Sequence, residues 1–241
     1  MPDAGPGPAR VLRRPVRDEG LLERAEAWVG AGSPAGPEPR PAATVMLVRD
    51  TASGVEVYVQ RRAATMAFAP SMVVFPGGRV DPADHSLDTS TPGLVDLAAH
   101  MGVAAAEAAP FAAAAVREVE EECGVRVEVA ALRGRGHWVT PAFEPRRYDT
   151  WILAAGMPTG QEARETSGES DGGGWAGAEA LLAMAAAGQV RMMPPQVWAL
   201  QALGTFGTAA EFLADRPVIR RVTPVLEQDP DGTLVLVTEL P

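Results

Sequence analysis

At 241 residues the chain is long enough to bury a substantial core, as one large domain or two small ones. Hydrophobic residues make up 46% and charged ones 22%, a globular composition rather than that of a disordered chain. With 21 basic against 31 acidic residues the formal charge is −10, which argues against a nucleic-acid surface as the main function. A small anionic substrate stays compatible, because local arginines and a metal can outweigh net charge. The single cysteine, Cys123, cannot form an internal disulfide, so a reducing, cytoplasmic setting is expected. It is expected to pack on the core side of a helix. No apolar run reaches membrane-spanning length, and the N-terminal region lacks the apolar segment of a secretory signal.

Met1 to about Val16 is rich in Pro, Gly and Arg and is expected to be disordered. Asp18 to Val29 carries helical periodicity, and Gly30 to Pro41 is a Gly/Pro-dense linker. Residues 1–40 are thus a tail, short helix and linker ahead of a domain over 41–241. Thr44–Val48 and Val55–Gln60 predict a hairpin around Asp50–Gly54. Arg61 and Arg62 close its second strand, as a surface pair or as a guanidinium fork for phosphate. Met66–Pro70 is an apolar loop before a short strand, Met72–Phe75. Pro76-Gly77-Gly78 is a sharp turn, where two glycines remove every Cβ from a close backbone approach.

Residues 85–109 predict a loop with one helical piece near Leu94–Met101, with His85 and His100 exposed. A helix follows from about Ala109 to Cys123, with Pro110 in its first turn and Gly124 ending it in a left-handed conformation. Its packing stripe is Ala112, Ala115, Val116, Val119 and Cys123. Glu118, Glu121 and Glu122 are spaced i, i+3, i+4 on one face. Like charges so placed repel, and a divalent cation turns that cost into a binding site; hard oxygen ligands suit magnesium or manganese.

Strands are expected over Val125–Leu132, His137–Val139 and Thr150–Ala155, with Arg146-Arg147-Tyr148-Asp149 before the last. Glu162–Gly174 is a mobile loop by composition, carrying Glu165, Glu169 and Asp171. Helices are expected over Gly177–Ala187, Pro194–Leu203 and Thr208–Ala214. Val218–Leu226 and Thr233–Thr238 flank a hairpin turn at Asp229-Pro230-Asp231-Gly232. Strands alternating with helices predict an α/β fold, a mixed β-sheet in an α/β/α sandwich with added C-terminal helices.

Arg117-Glu118-Val119-Glu120-Glu121-Glu122-Cys123-Gly124-Val125 together with Gly77-Gly78 resembles the signature of the Nudix hydrolases. That signature is a Gly, then a Glu, then Arg-Glu-U-x-Glu-Glu-x-Gly-U, with U aliphatic. Gly78 fits the opening glycine, and Asp84 stands in the place of the first acid, as Asp instead of Glu. The long 85–109 insertion splits the box. With Asp81-x-x-Asp84, Gln60-Arg61-Arg62, Thr140-Pro141, Arg146–Thr150 and Met193–Gln196, it is similar to the branch that contains the peroxisomal coenzyme A diphosphatase.

The resemblance implies the Nudix fold and a Mg2+- or Mn2+-dependent diphosphohydrolase, with coenzyme A or an acyl ester as leading substrate. The other substrates it leaves open are ADP-ribose, NADH and nucleoside-diphosphate sugars. A non-catalytic Nudix-fold binding module is a further alternative, against which the three intact glutamates stand. Glu118, Glu121, Glu122 and the Gly78 carbonyl would hold metal, and catalytic roles would fall to Glu118, Glu121 and Glu169, with Glu118 or Glu169 as base. Arg61, Arg62, Arg146 and Arg147 would meet substrate, while Gly77, Asp84, Arg117 and Gly124 would be structural. The implied partner is a small diphosphate-bearing molecule, without nucleic acid or membrane, and a homodimer is compatible with it. The insertion, with both ends in the signature, suits either a lid or a passive surface excursion.

Overall fold

The computed structural model describes residues 10–65 and 70–241. The chain runs through β1 (Arg10–Pro15), α1 (Glu19–Gly30), β2 (Arg40–Thr51), β3 (Gly54–Arg62), β4 (Val73–Val74) and β5 (Gly77–Arg79). A 3-10 turn (Pro82–Ser86), α2 (Leu94–Met101), α3 (Ala105–Cys123) and a second 3-10 turn (Val129–Ala131) follow. Then come β6 (Arg133–Val139), β7 (Tyr148–Gly156), β8 (Ser170–Gly177), α4 (Ala178–Ala186), α5 (Pro194–Leu203) and α6 (Ala209–Ala214). The chain closes with β9 (Arg221–Val222), β10 (Val225–Gln228) and β11 (Leu234–Leu240). Two compact units result: Met1–Pro41, His137–Thr150 and Val218–Pro241 in one, Ala42–Gly136 and Trp151–Pro217 in the other.

In the first unit β1, β11 and β10 form an antiparallel sheet, with Leu12 opposite Thr238 and Leu226 opposite Leu236. β9 pairs in parallel with His137–Trp138. Val16, Ala25, Phe143 and Leu234 form its core, with Leu21, Leu22 and Trp28 packed against them. The Asp18 side chain caps α1 by accepting from the Leu21 N–H at 3.0 Å. Disorder was the compositional expectation for Met1–Val16; over Arg10–Pro15 the backbone instead pairs with β11. Arg13, one of the arginines that lowered its hydrophobicity, donates to Glu227 at 2.7 Å and to Asp229 at 2.5 Å.

The second unit holds the catalytic candidates. The order along its sheet is β4-β3-β2-β7-β6, with β5 on β2 and β8 on β3. Val45–Val48 in β2 and Trp151–Ala155 in β7 are buried without a break. Strands buried on both faces belong at the centre of a sheet covered on both sides, the sandwich expected. Helix α3 presents Ala108, Ala112, Ala115, Val119 and Cys123 to the core at helical spacing. It starts at Ala105, four residues earlier than Pro110 suggested, so that Pro110 lies inside the helix. Val116 is only half-buried.

Three further differences have local causes. Val125, Val127 and Val129 are buried in alternation, yet no strand forms there. The Arg126 N–H and C=O are both taken by the side-chain amide of Gln161, at 2.8 and 3.0 Å, in place of a neighbouring strand. Ser170–Gly174, read as mobile from its glycines, pairs with β3. A Cβ on Gly173 would stand 2.3 Å from the Tyr58 hydroxyl, so glycine permits the close approach. His100 is half-buried, not exposed, with Nε2 3.2 Å from the Pro217 carbonyl. Of the expected Met66–Pro70 loop, Met66–Ala69 lie outside the described residues. Among the described residues no single helix is long and apolar enough to cross a membrane.

The insertion is packed rather than an idle surface excursion. Leu94, Leu97, Ala98 and Met101 of α2 are buried, and α2 lies against α3. Leu97→Ala should therefore lower the unfolding free energy by about 3 kcal/mol in denaturant titration. A loss below about 1 kcal/mol would contradict the packing of α2 into this core.

Candidate active site

The second unit brings the Gly77-Gly78 turn and the acidic end of α3 together, and the Arg117 guanidinium ties them. Its Nε and Nη2 grip both oxygens of Asp84, at 3.1 and 2.9 Å. Nη1 donates to Glu118 at 2.8 Å and Glu121 at 3.1 Å, and Nη2 to the Arg79 carbonyl at 3.0 Å. A planar fork of fixed donors suits this better than the single ammonium of lysine. Asp84 is itself set by the 3-10 turn, where it accepts from the Asp81 N–H at 2.8 Å. Burial alone would push the Asp84 carboxyl up, but the Arg117 and Asp81 donors outweigh it and hold it below its ordinary value. The same bonds push the Arg117 guanidinium up.

The three glutamates do not share one environment. Glu122 is buried and accepts from the Gly77 N–H at 2.9 Å. Glu118 lies against Gly78 so closely that a Cβ there would be 2.2 Å from its Oε1. Gly77 has φ +151°, and its Cβ would strike the Ala43 carbonyl at 2.3 Å, so both glycines are required by contact. Glu121 points outward, its side chain 57% exposed, and touches the cluster only through Arg117. Burial pushes Glu118 up, with Arg117 opposing and Glu121 and Glu169 adding. Burial pushes Glu122 up to about 7, opposed by the Gly77 N–H, with Glu118 and Glu169 adding and Arg62 opposing.

The C-terminal end of α3 is anchored by residues that the sequence pattern gave no reason to single out. Gln60, buried in β3, donates to the Glu122 carbonyl at 3.1 Å. Arg164 N–H donates to the Cys123 carbonyl at 3.1 Å, and the Thr166 N–H and hydroxyl donate to the carbonyls of Glu122 and Glu121 at 3.1 and 2.7 Å. These satisfy carbonyls that a helix end leaves open. Gly124 ends the helix at φ +65°, as expected. Only the alternation of β3, which turns Gln60 inward with Tyr58, could have signalled one of them. Cys123 is buried, as expected, and burial pushes its thiol up, consistent with packing rather than nucleophilic chemistry.

The remaining candidates separate. Glu169 is exposed, yet its carbonyl accepts from the Ala63 N–H at 3.0 Å, which fixes its backbone after β3. Glu165 turns back on its own loop, accepting from the N–H groups of Ser167 and Gly168 at 2.8 and 2.6 Å. Arg62 reaches Glu122 electrostatically, while Arg61 is exposed. Arg146 and Arg147 belong to the first unit. There Arg147 donates to the carbonyls of Thr140 and Pro37, at 3.0 and 2.8 Å, and works as a backbone brace.

Among the described residues no group of three or more His, Cys, Asp and Glu side chains is gathered to hold a metal ion. The donor chemistry nevertheless fits one. Glu118 and Glu122 are desolvated carboxylates beside a backbone turn, each raised by the other acids, and a hard divalent cation would relieve that repulsion.

The structural likeness is to solved Nudix enzymes. A Nudix hydrolase from Alicyclobacillus acidocaldarius superposes with a TM-score of 0.63 at 25% identity, over 75% of this chain and 98% of that one. A MutT protein from Bacillus halodurans gives 0.45 at 14%, over 82% and 97%. An Ap4A hydrolase from C. elegans gives 0.42 at 18%, over 73% and 98%. No family model matches the sequence, and no curated protein does. Fold and box together define a hydrolase acting on phosphorus anhydrides. The fold is that of the Nudix hydrolases, a group that generally uses divalent metal ions.

The raised Glu122 gives the metal-free protein a definite pH response. A carboxyl raised on folding contributes stability that is full below its unfolded value, near 4.5, and is lost as pH rises through about 7. Asp84 acts oppositely, stabilising above its unfolded value and losing that contribution on acidification. In the presence of EDTA, wild-type unfolding free energy should therefore fall from about pH 5 to about pH 8. Glu122→Gln should flatten this fall, and an unchanged slope in the variant would refute the burial of an ionisable Glu122.

Proposed function

We propose that the enzyme hydrolyses the diphosphate of coenzyme A or an acyl-coenzyme A, releasing 3′,5′-ADP and the phosphopantetheine part. The observation that carries the chemistry is the pair of carboxylates set against the Gly77-Gly78 turn, half-buried Glu118 held by the five-bond Arg117 clamp and buried Glu122 held by the Gly77 N–H. The substrate class rests on the split box with Asp81-x-x-Asp84 and on Gln60-Arg61-Arg62, Thr140-Pro141 and Met193–Gln196, which are similar to that branch.

In this reading Glu118, Glu121, Glu122 and the Gly78 carbonyl hold Mg2+ or Mn2+. The ion, when bound, neutralises phosphate oxygens and lowers the pKa of a bound water. Arg117 and Asp84 keep the acids and the turn in register. Arg62 offers a guanidinium for a phosphate oxygen. Glu169 takes the proton from the attacking water, since Glu118 is already engaged by Arg117 while Glu169 has an exposed carboxylate on an anchored backbone. The insertion, through packed α2, would border substrate.

The test is hydrolysis of coenzyme A, acetyl-coenzyme A, ADP-ribose, NADH and a nucleoside-diphosphate sugar with Mg2+ and then Mn2+, products identified by mass. Preferential release of 3′,5′-ADP is expected, and Glu122→Gln should lower turnover by at least about 100-fold. Preferred cleavage of ADP-ribose, NADH or the sugar nucleotide would replace the substrate and keep the site. Unchanged turnover in Glu122→Gln would overturn the site.

A further inference from the structure

A second cluster of charge lies in the same unit, at the inserted helix. A cavity of about 100 Å3 is bordered by Gly93, Asp96, Leu97 and His100 around α2, by Arg133 at the start of β6, and by Arg216 just after α6. A single water needs only about 10–15 Å3 of such space, so a polyatomic ion fits.

Its charge is unbalanced. Arg133 spends Nη1 on the carbonyls of Ala130 and Leu132, both at 2.8 Å, and Arg216 spends Nη1 on those of Leu213 and Asp215, at 2.8 and 3.1 Å. These bonds fix both guanidiniums through backbone while neutralising neither. Among the described residues neither arginine has a carboxylate within ion-pair distance, and Arg133 Nε is buried without a hydrogen-bond partner. Asp215 is already paired with Arg135 at 3.1 Å. Asp96, the one acid on the cavity, is exposed. A half-buried guanidinium, Arg133, and a more exposed one, Arg216, thus border one small space with only the exposed Asp96 opposite them, and they repel each other there.

We propose that this cavity binds a phosphate-type oxyanion, bridging Arg133 and Arg216 and pinning the inserted helix α2 to the rest of the unit. Planar guanidiniums recognise such an anion through paired N–H donors. The titration of the neighbours agrees with a positive local field. Arg133 is lowered by burial and then by Arg216, with Asp96 opposing. His100 is lowered by burial, opposed by its Pro217 carbonyl partner, and lowered further by Arg216 and Arg135. The site is separate from the box carboxylates and stands whichever diphosphate the enzyme cleaves.

Thermal unfolding of the metal-free full chain tests it, with inorganic phosphate titrated against sodium chloride at constant ionic strength. Phosphate should raise Tm, by about 4 °C at tenfold excess over Kd and logarithmically with concentration beyond it. Arg216→Gln, at an exposed position, should abolish that rise with little change in Tm without phosphate, and Arg133→Met should act likewise. Hydrogen exchange over Leu94–Met101 should slow with phosphate in the wild type alone. Phosphoethanolamine distinguishes the source: an equal rise means that phosphomonoester ends are accepted, and none means that the free ion is the ligand. No rise beyond chloride, or an equal rise in Arg216→Gln, would overturn the proposal.

Discussion

The active-site half of this molecule depends on one guanidinium. Arg117 reaches Asp84, Glu118, Glu121 and the Arg79 carbonyl at once. It therefore joins the strand leaving the glycine turn and the 3-10 turn just after it to the acidic helix, more than thirty residues further on. Without it, Asp84 would be a buried carboxylate lacking its counter-charge, which is strongly destabilising. With it, a helix face bearing three glutamates is held against a backbone turn in spite of their mutual repulsion. Burial, with that repulsion added to it, leaves the carboxyls of Glu118 and Glu122 raised, which is the condition a divalent cation exploits.

The clamp works because each side of it is fixed independently. Gly77 and Gly78 let the turn approach to distances at which any Cβ would collide. At the other side, Gln60, Arg164 and Thr166 take up the carbonyls that end α3, so Glu121 and Glu122 sit on a helix end that does not fray. The insertion adds to this rather than loosening it, since α2 buries Leu94, Leu97 and Met101 along α3. A 25-residue interruption of the signature is thus absorbed as packed structure.

Much of this was legible in the sequence, and the rest was not for physical reasons. Arg117 to Gly124 and the two glycines carry their roles in their spacing, because helix periodicity and the need for a missing Cβ are local properties. The differing fates of Glu121 and Glu122, one exposed and one buried, turn on the rotation of α3 against its neighbours, which spacing does not fix. Val125–Val129 shows the complementary limit: alternation reports which side chains are buried, while pairing depends on a partner, and here Gln161 replaced one. Gly-rich Ser170–Gly174 and Arg-rich Arg10–Pro15 were both read as unordered from composition, yet each only needed a neighbouring strand to pair with. Arg147 illustrates a harder case, since an arginine bracing carbonyls and one awaiting phosphate look alike in sequence.

The most direct measurement is an anomalous difference map from a crystal of the enzyme soaked in Mn2+. A peak about 2.1–2.2 Å from carboxylate oxygens of Glu118 and Glu122 is the expected result. A fully ordered crystal with no peak at these residues, or with its manganese elsewhere, would contradict the view that the Arg117 clamp on Glu118 and the Gly77 N–H on Glu122 hold these acids for a cation.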